Sequence, residues 1–200
     1  MNARARRVIE GGFTLIELMV TLAVAAVLLV IAAPGFVAFQ RNAELTSTTN
    51  RLISAIATVR SEAMKTGMTA MLVPADGASW DSGWTAFLDK KPDQLFTAAD
   101  DKVIFTQAPP AGYLTTTANG TAKASTPYIL FDGSGYPKTK TGGLGGLTIT
   151  IARSDLSGTA ALADTRSVIV SPAGRVRSCR PVSASDAKCP VSTDSSNDAE

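Results

Sequence analysis

Two hundred residues, 45% of them hydrophobic, leave room for one globular core once a leader and a membrane span are set aside. The sequence holds no histidine and two cysteines, which removes the usual general base near neutral pH and any zinc site built from those residues alone. The formal charge of +2 sits largely in the first dozen residues: without Arg4, Arg6, Arg7 and Glu10, sixteen basic and sixteen acidic side chains remain, so a charged partner has to be met by a local patch.

Arg4, Arg6 and Arg7 precede an apolar run, residues 18–39, that carries no charged side chain. At 1.5 Å per residue this run makes about 33 Å of helix, enough to cross the hydrocarbon core of a bilayer. Basic residues ahead of a span place the N-terminus in the cytoplasm and the remainder across the membrane, in an oxidising compartment if the cell is a Gram-negative bacterium. Glu17 stands just inside the edge of the run between apolar neighbours, where an unpaired charge is costly. It calls for a partner.

The basic leader, Gly12, the Phe13-Thr14-Leu15-Ile16-Glu17 stretch and the long apolar helix together resemble the class III signal sequence of type IV pilins and type II secretion pseudopilins. The resemblance implies that a prepilin peptidase cuts between Gly12 and Phe13 and methylates the new N-terminal Phe13. It also implies that Glu17 pairs with the N-terminal amine of a neighbouring subunit during assembly. Two plainer readings compete. An ordinary secretory signal would be cut near Ala32-Ala33, but its apolar core would be unusually long and would begin with a glutamate. Glu17 as a mere interfacial residue reaching into the headgroups leaves the preceding Gly-Phe-Thr-Leu unexplained.

Pro34-Gly35 interrupts the run, and proline removes one intrahelical hydrogen bond, so a kink or local melting is expected there. Farther on, Leu52, Ile56, Val59 and Ala63 recur at helical spacing, with Ile53 and Met64 beside them, opposite Arg51, Ser54, Thr58, Ser61, Glu62 and Lys65. This half is amphipathic and suited to dock on a sheet, and Gly67 is its expected stop. Residues 46–50, rich in threonine, have poor helix propensity and are expected to be loose.

From Met68 the period shortens. Residues 69–73, 84–88, 103–107, 128–131, 147–152, 167–170 and 175–179 are short, rich in β-branched or aromatic side chains and separated by Gly, Pro, Asp and Ser, which predicts a meander of antiparallel strands. Residues 147–151 alternate cleanly, predicting one packed face and one wet face. Asp132-Gly133-Ser134-Gly135 and Pro172-Ala173-Gly174 are the expected turns. Residues 115–126 and 139–146 read as mobile loops, and 191–200 as a disordered tail.

The globular half narrows the resemblance. Ser79-Trp80-Asp81-Ser82-Gly83-Trp84 with Phe87 and Asp89, Phe131-Asp132-Gly133-Ser134-Gly135, and Gly174-Arg175-Val176-Arg177 with Cys179 are similar to the minor-pilin branch called GspH/FimT. The resemblance implies an α+β, type IV pilin fold, with a long N-terminal helix packed on antiparallel β-sheet. The expected organisation is a cleaved leader at 1–12, a transmembrane helix at 13–39, an amphipathic helix at 40–66, a β-rich pilin domain at 67–190 and the tail at 191–200. Both tryptophans are expected in the helix–sheet core.

Asp89, Asp93, Asp100 and Asp101 could hold calcium through oxygen ligands, but solvated loop carboxylates are the preferred reading. No enzyme, cofactor or metal is expected. Cys179 and Cys189, lone cysteines close in sequence, would pair in an oxidising compartment and add about 2 to 3 kcal/mol by restricting the unfolded chain. The loop they close carries Arg180 and Lys188 and follows Arg175 and Arg177. On a strand these two arginines project to one side about 6.7 Å apart, a spacing suited to phosphate oxygens.

Three functional classes stay open: a structural minor pilin that nucleates or caps a type IV pilus, a type II secretion pseudopilin of the H type with no DNA binding, and a minor pilin that also binds DNA for uptake. The last follows from the resemblance of Gly174 to Arg177 to the element with which some FimT-type pilins contact DNA, and would use Arg175, Arg177, Arg180 and Lys188. Other minor and major pilins or pseudopilins, the prepilin peptidase and the inner-membrane assembly platform are the partners implied.

Overall fold

The computed structural model describes residues 12–192, so residues 1–11 of the expected leader and residues 193–200 of the expected tail lie outside the described residues. The first element, α1 (Leu15–Thr66), contributes to two compact units, Met1–Arg41 and Asn42–Glu200. In the first unit every described side chain of residues 15–40 is exposed, and the helix is long and apolar enough to cross a membrane. Such a surface finds its solvent in lipid, where the helix satisfies its own backbone. The chain stays helical at Pro34 and Gly35, so the local melting expected there does not occur. One absent N–H removes one rung, and the hydrogen bonds of the turns on either side keep the segment helical.

In the second unit the helix buries Leu52, Ile56, Val59 and Ala63, the stripe read from the sequence, adds Ala55 to it and extends it back to Leu45. Residues 46–50 are helical rather than loose. Thr48 and Thr49 are buried, the Thr49 hydroxyl donates to the Leu45 carbonyl at 2.8 Å and the Thr46 hydroxyl to that of Asn42 at 3.0 Å. Burial of the apolar stripe outweighs the few tenths of a kcal/mol per residue that threonine costs in a helix. Gly67 ends the helix, its N–H bonding the Ala63 carbonyl at 2.9 Å.

The strands form two antiparallel sheets rather than one meander. The first contains β1 (Ala70–Pro74), β2 (Trp84–Leu88), β3 (Lys102–Gln107), β5 (Ile129–Phe131) and β6 (Pro137–Lys138) in the order β3-β2-β1-β5-β6. The second contains β4 (Leu114–Ala118), β7 (Leu147–Arg153), β8 (Thr165–Val170) and β9 (Val176–Cys179) in the order β4-β7-β8-β9. A short helix, α2 (Gly158–Ala163), joins β7 to β8. The seven expected strands are present, and β4 and β6 are additional. β4 lies where a mobile loop was expected: Leu114, Thr115, Thr116, Thr117 and Ala118 pair with Arg153, Ala152, Ile151, Thr150 and Ile149. The adjoining Ala122 is buried, and its carbonyl accepts the Trp80 indole N–H at 2.9 Å.

The helix stripe, Leu72, Ala86, Ile129 and Phe131 of the first sheet and Leu147, Ile149, Ile151, Val168 and Val170 of the second share one core with Trp80 and Trp84. Met71, Phe87, Tyr128 and Leu130 form a smaller cluster on the other face of the first sheet, and Phe96 packs on Phe87 with ring centroids 5.0 Å apart.

β7 departs from its expected half-wet pattern because both faces are covered. Thr148 and Thr150 are buried beneath the C-terminal segment: Ser192 donates its N–H to the Thr150 hydroxyl at 2.9 Å and its hydroxyl to the Thr148 carbonyl at 2.8 Å, and its own carbonyl accepts from the Thr117 hydroxyl at 2.6 Å. The expected disordered tail therefore does not include Ser192, which is buried.

Asp89 at the end of β2 corrects another expectation. It is 2% exposed rather than solvated, with Oδ2 accepting the Gln94 N–H at 3.0 Å and Oδ1 unpartnered among the described residues. Around it Asp101 accepts the N–H groups of Lys90 and Thr97, and Lys91 pairs with Asp93 and Asp100. Burial, and then the charges of Asp101 and Asp93, hold the Asp89 carboxyl above the ordinary 3.8, against the opposing Gln94 hydrogen bond. A raised folded value means that the folded state binds the proton more readily. Stability contributed by this group therefore rises as pH falls from neutrality through the folded value, and levels off below 3.8. Thermal melts from pH 7 to 4 should show wild type gaining on Asp89→Asn as pH falls. A constant difference across that range would refute the assignment.

Candidate functional site

At the N-terminal end the residues explain their own geometry. Thr14 precedes α1, and its hydroxyl accepts the Glu17 N–H at 3.2 Å, the first half of a Thr-x-x-Glu capping arrangement. Glu17 falls in the first turn, where the helix dipole favours a carboxylate, and its side chain is exposed. Gly12 and Phe13 lie ahead of the helix outside regular secondary structure, both exposed, with Phe13 at 85%. A cleavable bond needs such unfolded, accessible backbone.

The C-terminal basic residues gather on the edge strand β9. Val176, Arg177, Ser178 and Cys179 pair with Val170, Ile169, Val168 and Ser167 of β8. Alternation puts Arg177 and Cys179 on the outer face and Val176 toward the core, where it packs. Arg175 just precedes the strand, its N–H donating to the Ser171 hydroxyl at 3.1 Å while its carbonyl accepts from Ser171 N at 2.9 Å. Cys179 and Cys189 form the expected disulfide. Arg180 and Lys188 thus flank the bridge, both exposed.

Arg177 is exposed, and its guanidinium donates to the Lys188 carbonyl at 2.8 Å, binding the strand to the loop. Among the described residues neither Arg175 nor Arg177 meets a carboxylate. Asp186, the acidic residue inside the loop, is engaged by backbone: it accepts the N–H groups of Val182, Lys188 and Cys189 at 3.1, 2.9 and 3.2 Å. These bonds, Val182 and Lys188 foremost, hold its carboxyl below the ordinary carboxylate value. Its charge organises the loop and does not neutralise an arginine.

Two arginines were missed in the sequence. Arg166 on β8 lies one position beyond the Ser167–Cys179 pair, as Arg180 does on the other strand. Its guanidinium donates to the Ala163 and Thr165 carbonyls at 3.2 and 2.9 Å. Burial, and then the charge of Arg180, depress its pKa, so Arg180 adds to a positive field rather than to an ion pair. The second is Arg60 on α1, with Nε donating to the Gly135 carbonyl at 2.9 Å and Nη1 to the Gly174 carbonyl at 2.8 Å. Its spacing to Ile56 and Val59 gave no sign that it would bridge two turns more than seventy residues away.

The chain matches the family described as type II transport protein GspH over residues 48–174, and the prokaryotic N-terminal methylation motif over residues 9–33. It is 36% identical over 80 residues to the type IV narrow pilus major component PilA5 of Thermus thermophilus, an alignment covering 38% of this chain and 69% of that protein. Among solved structures it is similar to the type IV minor pilin FimU of Pseudomonas aeruginosa, at 19% identity and a TM-score of 0.49 over 70% of this chain and 90% of that one. It is also similar to the minor pseudopilin EpsH from the type 2 secretion system of Vibrio cholerae, at 13% identity and a TM-score of 0.47 over 69% and 98% of the two chains.

Proposed function

The chain belongs to the GspH family of type II transport proteins, and from that membership we propose that this minor pilin or pseudopilin joins a type IV pilus and binds DNA through its C-terminal arginines. Its N-terminal helix anchors it in the membrane. A prepilin peptidase frees Phe13, Glu17 meets the amine of a neighbouring subunit, and other pilins and the inner-membrane assembly platform complete the filament. The globular unit then lies on the periplasmic side, carrying β9 with it.

The observation that carries the DNA reading is the pair of exposed arginines at the start of the edge strand β9, Arg175 in the turn just before it and Arg177 on it, with Arg180 and Lys188 held beside them by the disulfide. In a mature chain of balanced charge this is a local positive surface, and guanidinium forks suit phosphate oxygens without reading bases. Full-length protein in detergent micelles, titrated against labelled duplex, should lose about a hundredfold in affinity over a fourfold rise in salt if three or four phosphates are contacted. Arg175→Gln/Arg177→Gln should remove most of the binding at low salt. Equal binding by wild type and variant, or none by either, would leave the second reading. That reading is a secretion pseudopilin without DNA binding, and the Arg177 bond to the Lys188 carbonyl favours it by giving one arginine a structural task.

A further inference from the structure

The tips of two hairpins, one from each sheet, meet over the α1 surface. In the first, Gly135 N–H donates to the Asp132 carbonyl at 2.8 Å between β5 and β6; in the second, Gly174 N–H donates to the Ser171 carbonyl at 2.8 Å between β8 and β9. Both glycines have positive φ, +77° and +78°, and a Cβ on Gly174 would stand 2.6 Å from the Gly135 carbonyl oxygen and 3.1 Å from the Arg60 guanidinium carbon. The backbone of Gly174 approaches Gly135 this closely because residue 174 has no side chain, whereas a Cβ on Gly135 would instead stand 2.6 Å from the Met64 sulfur on α1.

Arg60 sits between these tips. Its Nε and Nη1 each take one carbonyl, Gly135 at 2.9 Å and Gly174 at 2.8 Å, so one planar fork spans a turn of each sheet. It is half-buried, and among the described residues no carboxylate meets it. The peptide joining Gly174 to Arg175 is consequently held at both polar ends: its carbonyl by Arg60 and its N–H by the Ser171 hydroxyl at 3.1 Å. A peptide group is planar, so fixing both ends fixes the direction in which the Arg175 Cα–Cβ bond leaves the chain.

We infer that Arg60 is the positioning residue of the Gly174 to Arg177 element, setting the direction of Arg175 from the helix. As a statement about phosphate binding this rests on the proposed function; as a statement about the turn it does not. It assigns a task to a charged side chain that the core does not need, and explains why the turn requires glycine at 174. It also separates geometry from charge. Lysine keeps the charge of Arg60 but cannot offer two divergent donors in one plane.

The experiment compares wild type, Arg60→Met, Arg60→Lys and Arg175→Gln/Arg177→Gln, all full-length in detergent micelles, by duplex titration and by hydrogen exchange of the β8–β9 turn. The expected result is an affinity loss of about tenfold at low salt in both Arg60 variants, the scale of two charge-assisted hydrogen bonds in a half-exposed setting. Faster exchange at Gly174 and Arg175, with β7 unchanged, is expected in the same two variants. Arg60→Lys binding like wild type would overturn the inference, because charge alone would suffice. Exchange at Gly174 and Arg175 unchanged in both variants would overturn it whatever the DNA result. If Arg175→Gln/Arg177→Gln binds like wild type while exchange rises in the Arg60 variants, the DNA reading fails and the positioning role stands. Arg60→Lys also keeps the test decisive should Arg60→Met fail to fold.

Discussion

Arg153→Met is expected to lower the stability of the globular unit by about 3 kcal/mol, the lower end of the range for breaking a buried ion pair from one side. Arg153 ends β7 with its side chain only 5% exposed, and two carboxylates converge on it: Asp155 at 2.7 Å and Asp164 at 2.9 Å. A second bond, from Nε to Asp155, makes that contact bidentate. The Asp155 hydrogen bond, ahead of opposing burial, raises the guanidinium pKa further. Methionine fills much of the same volume but removes the cation that Asp155 and Asp164 share. Both keep partial contact with water, which is why the lower end of the range applies. Chemical denaturation should show the midpoint falling without a change in slope. Adding Asp155→Asn and Asp164→Asn should restore part of the loss, and failure of that restoration would mean that packing rather than charge is at stake.

Glu17→Ala is expected to leave membrane insertion and leader removal intact while reducing the subunit in sheared filaments by about tenfold or more, since an ion pair in lipid has no water to replace it. The geometry supports that division of labour. The Thr14 hydroxyl already caps the residue 17 N–H, so alanine does not unravel the helix start. What alanine removes is a carboxylate for which the described residues provide no partner of its own. Mass spectrometry should find an N-methylated Phe13 in both wild type and variant. Normal incorporation of the variant would reduce Glu17 to an interfacial residue, and a chain beginning near Pro34 would return the ordinary secretory signal to consideration.

Much of the fold was legible because its signals are local. Trp84 to Leu88 reads as a strand and is one, residue for residue; Asp132 to Gly135 reads as a turn, and Asp132 closes it by accepting the Ser134 and Tyr136 N–H groups. The failures share a cause. β4 reads as a polar loop because its threonines look solvent-facing, but their value in a strand is β-branching, and β7 supplies the partner. Thr148 and Thr150 alternate with apolar residues as a wet face would, yet a distant segment covers them. Thr46 to Asn50 scores poorly as helix until Leu45 is seen to be buried.

The basic site divides the same way. Arg175, Arg177, Arg180 and Lys188 stand out by proximity along the chain, whereas Arg166 enters through strand register and Arg60 through two turns that sequence separation hides. Arg153 resembles any charge at a strand end, and only the fold brings Asp164 to it.

The C-terminal segment that covers β7 has a mechanical consequence. Ser192 is held by three hydrogen bonds to β4 and β7, and three residues earlier the chain is welded to β9 at Cys179. A pull applied beyond Ser192 first shears those three bonds, which can re-form when the load is removed. Further extension is then arrested at Cys189, and tension passes sideways into β9, where it is shared across the rungs to β8 rather than unzipping the segment farther. A filament subunit built this way yields by a few residues and then stiffens, and reduction of the disulfide would lengthen that yield by the ten-residue span between the cysteines.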